Sequence, residues 1–124
     1  MELELKIIIN NSYLTMVEKI GIVEFLNKIQ TQIKNNLLMV KMIGSKLSKN
    51  FDKESDIDLF ILVKECNYQI MHNINDICTE LNLHYDINLS PIIYSLEEHN
   101  KNVYFQTMFV RELDKGVTLW NSIK

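Results

Sequence analysis

The stretch Ile57-Asp58-Leu59-Phe60-Ile61-Leu62-Val63 is apolar at every position except Asp58. A run of this kind reads as a strand covered on both faces, so the chain must supply layers above and below a sheet. Asp56 and Asp58 stand at the head of that strand. Side chains alternate along a strand, so the two carboxylates share a side. Like charges held together repel unless a cation lies between them. Hard cations such as magnesium take oxygen ligands, commonly one or two carboxylates plus substrate phosphates.

The rest of the chain supplies the layers. Residues 13–36 read as a helix opened by a Thr15/Glu18 capping box, with Ile22, Leu26, Ile29 and Ile33 at helical spacing. Residues 37–43 form a short apolar strand ending at Gly44. Residues 67–81 repeat Ile70, Ile74, Ile77 and Leu81 as a second helix, and residues 83–89 read as a third strand closed by Ser90-Pro91. Ser95 with Glu98 opens a helix expected to run to about residue 113. Gly116 ends it, and residues 117–120 can form a last strand. The expected fold is α/β (α+β), a small central mixed sheet flanked by helices. The 124 residues fit one domain, with a core over 15–120 and an N-terminal extension over 1–14.

Three further features carry the chemistry. Gly44 lets a backbone approach a phosphate, and Ser45 adds a hydroxyl donor. Lys46 and Lys49 are nearby point charges suited to phosphate oxygens. On the third expected strand, alternation groups Asp86 with His84 and Asn88, which makes Asp86 a candidate third carboxylate able to hold a metal or accept a proton. His84 is otherwise an ordinary strand-face residue, and His72 and His99 read as helix-surface residues. Of Tyr104, Phe105, Met108 and Phe109, part must face the core, and Trp120 is expected to pack on the sheet.

The bulk numbers exclude other classes. With 13 basic and 16 acidic residues the net charge is -3, which does not suit a protein that coats nucleic acid. Cys66 and Cys78 have no zinc spacing and read as free thiols in a reducing compartment. No stretch approaches the ~18 apolar residues of a membrane span, and no signal peptide is legible. The expected location is cytoplasmic.

Gly44-Ser45, ten residues, then Asp56-Ile57-Asp58 resembles the signature of the DNA polymerase β-like nucleotidyltransferases. The sequence is most similar to the minimal nucleotidyltransferases, small prokaryotic proteins often paired with a helical HEPN-domain toxin. Ser55-Asp56-Ile57-Asp58-Leu59, Tyr85-Asp86-Ile87 and the ending Lys115-Gly116-Val117-Thr118-Leu119-Trp120 all fit that resemblance. It implies the polymerase β-like palm fold, a nucleoside triphosphate (ATP) held by Gly44 and Ser45, and magnesium, two ions when active, bound by Asp56, Asp58 and Asp86. It also implies transfer of AMP to a hydroxyl of the partner toxin, as the antitoxin of a toxin–antitoxin pair. The family often has Arg, Ala, Arg and Gly where this chain has Lys46, Leu47, Ser48 and Lys49, which alters the expected grip on phosphate. A non-catalytic, toxin-occluding subunit and a transferase acting on a small molecule are the alternatives.

Overall fold

The Ile57–Val63 run is an inner strand of a four-stranded sheet in the computed structural model, which describes residues 13–44 and 56–122. In chain order the elements are α1 (Met16–Gln32), β1 (Leu37–Ile43), β2 (Ile57–Val63), α2 (Tyr68–Tyr85), β3 (Leu89–Ser95), α3 (Leu96–Tyr104), α4 (Met108–Asp114) and β4 (Val117–Asn121). The strands lie in the order β3-β2-β1-β4. β1 is antiparallel to both β2 and β4, and β2 is parallel to β3. The mixed, helix-flanked α+β sheet expected from the sequence is the fold observed.

The alternation of β2 divides the interior in two. Ile57, Leu59, Ile61 and Val63 are fully buried in the larger core, with Ile22, Phe25, Leu26 and Ile29 of α1 and Ile74, Ile77 and Leu81 of α2. Phe60 and Leu62 face the other way, into a smaller core with Leu38, Ile43 and Leu113. There the Phe60 ring meets Tyr94 edge-on at 5.7 Å and tilts against Phe109 at 5.9 Å. Burying each large apolar side chain stabilises the fold by roughly 1.5–3 kcal/mol, so β2, buried on both faces, is the most strongly held segment.

Both capping boxes form. The Thr15 hydroxyl accepts from the Glu18 N–H at 3.1 Å, and the Glu18 carboxylate accepts from the Thr15 N–H at 2.9 Å. At α3 the same exchange joins Ser95 and Glu98, with both bonds at 3.2 Å. The helix expected to run on from Ser95 is broken, however. Gln106 takes a positive φ of 50°, and Thr107 caps α4 afresh, its hydroxyl accepting from the Val110 N–H. The break turns Phe109 and Leu113 onto Phe60 and its cluster and leaves Tyr104, Phe105 and Met108 exposed. Trp120 packs, half-buried, against the larger core, as expected.

The largest departure from expectation concerns residues 83–95. The chain stays helical to Tyr85, because Cys78, Leu81 and Tyr85 continue the face that α2 lays on the larger core. Asp86 closes the helix in the left-handed conformation, φ 54° and ψ 52°. Asn82 then fixes the exit: its side-chain oxygen accepts from the Leu89 N–H at 2.7 Å, and its amide donates to the Leu89 carbonyl at 3.1 Å. The third strand therefore begins at Leu89 instead of ending there. Pro91, read as a terminator, lies inside β3, which is an edge strand and so tolerates a residue without an N–H.

Cys66 and Cys78 are free. Burial pushes the Cys78 thiol up to about 12, which makes it an inert core residue. Among the described residues no helix is long and apolar enough to cross a membrane.

Asn82→Ala removes both anchors of Leu89 and leaves two half-buried backbone groups unpaired. We expect a loss of about 1–3 kcal/mol in urea unfolding at unchanged m-value.

Candidate active site

The carboxylate pair sits where the sheet changes from packed interior to surface. Phe60 and Leu62 belong to the smaller core, so alternation places Asp56 and Asp58 on that same face of the sheet, towards the side that carries α3 and α4. Asp56 is exposed and Asp58 half-buried. Burial, and after it the charge of Asp56, raise the Asp58 carboxyl above its ordinary value. No lysine, arginine or histidine among the described residues forms an ion pair with either group. Two adjacent carboxylates with no countercharge among the described residues fit a hard divalent cation.

Gly44 closes over this pair. The antiparallel register sets Ile43 opposite Asp58, and Gly44 follows with φ +94°, a conformation that L side chains rarely adopt. A Cβ at this position would also stand 2.7 Å from Asp58 Oδ2. Glycine is thus required both by backbone angle and by space, and it keeps the carboxylate accessible from the β1 side. Gly116 meets a different demand. A Cβ there would lie 2.6 Å from Ile43 Cγ2 and 2.8 Å from the Met42 carbonyl oxygen. The passage from α4 into β4 therefore presses on the end of β1, next to Gly44.

The third expected carboxylate is elsewhere. Asp86 is the exposed C-cap of α2, and α2 packs on the larger core, on the opposite face of the sheet from Asp58. Its assignment to a strand face with His84 and Asn88 is corrected: His84 is on α2 and lines a groove with Glu24, Lys28 and Glu80. Among the described residues no three His, Cys, Asp or Glu side chains come together as a metal site. What does flank Asp58 on the neighbouring strand is Ser90, its partner in the parallel register. The sequence reading missed Ser90 because Ser90-Pro91 looked like a strand end; the apolar Ile92-Ile93-Tyr94 that follows was the available signal.

His99, expected on a helix surface, is half-buried and tilts against Phe60 at 5.6 Å. Burial and the nearby Lys41 lower its pKa, and Asp114 opposes them. Ser45, Lys46 and Lys49 lie outside the described residues.

The raised Asp58 carboxyl gives a stability prediction with a definite sign. A carboxyl that binds its proton more tightly when folded favours the fold at low pH and costs stability once pH rises through its folded value. Asp58→Asn removes that cost. The variant should therefore melt at a higher temperature than wild type at pH 7 without metal, and the gap should close as pH falls below the ordinary carboxylate range. Gly44→Ala should act oppositely, losing roughly 1–2 kcal/mol to left-handed backbone strain alone.

No protein-family model matches the chain. Two curated relatives do, both from Methanocaldococcus jannaschii. "Putative protein adenylyltransferase MJ0141" is 42% identical over 72 residues, covering 57% of this chain and 73% of that protein. "Putative protein adenylyltransferase MJ0604" is 30% identical over 89 residues, covering 71% and 84%. Among solved structures, a chain from a mutant of the toxin–antitoxin MntA–HpeT superposes with a TM-score of 0.50 at 14% identity, covering 81% of this chain and 73% of that one, a likeness of fold. Its relatives match over most of their own length, and its sheet presents the Asp56/Asp58 pair beside Gly44 as the signature requires; the chain belongs to the minimal nucleotidyltransferases of the polymerase β-like superfamily.

Proposed function

We propose that the protein is a magnesium-dependent nucleotidyltransferase that moves AMP from ATP to a hydroxyl of a partner protein, as the antitoxin of a toxin–antitoxin pair. The observation that carries the reading is the Asp56/Asp58 pair, unpaired with any described cation and left accessible by the glycine at 44. The names of the two archaeal relatives support adenylyl transfer to protein. The toxin–antitoxin neighbour and the family resemblance support a toxin as acceptor, of the helical HEPN type.

In this reading Asp56 and Asp58 hold the metal, whose charge would offset the repulsion between the two carboxylates. Magnesium at this position supplies neutralisation of the triphosphate and polarises its α-phosphoryl group. Gly44 gives the triphosphate a close approach to the end of β1. Ser45, Lys46 and Lys49 are assigned to phosphate by sequence. The acceptor hydroxyl oxygen bonds to the α-phosphorus and gives up its proton to solvent, the bond to the β-phosphate bridge breaks, and pyrophosphate leaves. Positioning and charge, not covalent participation of the protein, do this work.

The test is calorimetric titration with ATP and magnesium, followed by transfer of label from α-labelled ATP to the toxin encoded beside it. Wild type should bind only when both are present. The Asp56→Asn/Asp58→Asn double variant should lose binding by at least about a hundredfold, equivalent to about 2.7 kcal/mol, and should transfer no label. Binding by wild type without any transfer would instead establish a subunit that occludes its toxin without modifying it.

A further inference from the structure

The register between β2 and β3 assigns the third position of the site to a residue that no comparison names. The pairs Asp58↔Ser90, Phe60↔Ile92 and Leu62↔Tyr94 run in parallel. Ile92 and Tyr94 both pack into the smaller core with Phe60 and Leu62. Paired residues of a parallel ladder share a face, so Ser90 is on the face of Asp58, one strand away. Ser90 is half-buried, as Asp58 is. One step earlier on the same face, Asn88 falls beside Asp56, and its carbonyl accepts the Ile57 N–H at 2.8 Å. The two side chains that flank the carboxylates, Ser90 on β3 and Asn88 just before it, are therefore neutral.

Asp86 precedes this ladder. It terminates a helix packed on the other face, and its left-handed conformation is fixed by the turn that the Asn82–Leu89 bonds complete. Between it and Asn88 stands Ile87, whose side chain is buried in the larger core on the face opposite Asp58.

Resting on the nucleotidyltransferase reading, we propose that the metal site draws two carboxylates from the described residues, Asp56 and Asp58, with the neutral hydroxyl of Ser90 in the flanking position, and that Asp86 takes no part in it. Such a site holds a divalent cation mainly when the triphosphate brings its own oxygens, because two carboxylates alone are a weak cage for so hydrated an ion. The Ser90 hydroxyl can donate to an Asp58 oxygen or to a phosphate oxygen, which a carboxylate there could not do.

Two titrations of the full chain decide this. With Mn2+–ATP, followed by calorimetry, Asp86→Asn should bind within twofold of wild type, while Asp58→Asn should lose tenfold or more. Asparagine tolerates the left-handed backbone at position 86, so the fold survives the change. With Mn2+ alone, followed by electron paramagnetic resonance, Ser90→Asp should bind roughly tenfold or more tighter than wild type, since it adds a charged oxygen ligand beside the pair. A tenfold loss in Asp86→Asn overturns the proposal while leaving the nucleotidyltransferase reading intact. So does a Ser90→Asp protein that is folded by circular dichroism and binds Mn2+ no tighter. Absence of Mn2+–ATP binding in wild type overturns both.

Discussion

The double burial of β2 is the constraint on which the rest of the structure depends. Every residue from Ile57 to Val63 is buried except Asp58. Four of them seat the strand on α1 and α2, and Phe60 and Leu62 seat it against β3, α3 and α4. Parallel and antiparallel ladders grip both its edges. A strand held so firmly can carry an unfavourable group at its end. The cost of keeping Asp58 half-desolvated beside Asp56 is small against the apolar burial behind it. That is how the fold keeps a charged pair in place with no ion-pairing cation among the described residues.

Much of this was legible in the sequence because its signals are local. Alternation at Asp56 and Asp58, the two capping boxes and the glycine that ends β1 are each settled within a few residues. The Lys115-Gly116-Val117 ending was legible as a motif, but its reason was not: Gly116 is required because backbone and side chain of β1 lie against it, a contact between segments far apart in the sequence. The break at Gln106 was hidden for a similar cause. Nothing in Tyr104-Phe105-Gln106-Thr107 forbids a helix. The break is favoured by what it delivers, Phe109 and Leu113 onto the smaller core.

The misplacement of Asp86 has the same origin. His84-Tyr85-Asp86-Ile87-Asn88 alternates well enough to pass for a strand, and its helical continuation from Leu81 is equally consistent. Local pattern cannot choose between them. The choice is made by Asn82, which reaches forward to both backbone groups of Leu89, and by β2, which pairs only with the segment from Leu89 onwards. A strand that begins six residues later than its pattern suggests carries different side chains to the site. The two aspartates of β2 were fixed by their own strand, whereas the identity of their neighbour was fixed by another.

This division matters for how the site works. Residues at the head of β2 and β3 are positioned by the parallel ladder that joins the two strands, and β2 has a second ladder to β1 and cores on both faces, so Asp58 is carried by the most deeply buried strand. Asp86 and the Asn82 turn are held by a helix end and a few polar bonds, the part that opens first in most domains. A metal–triphosphate complex needs ligands placed to within a fraction of an ångström. That demand favours the strand-borne Asp58 and Ser90 over the helix cap in the proposed site. The charge thus sits at the exposed head of a strand that is deeply buried behind it, and Asp86 ends α2 where the chain turns towards β3.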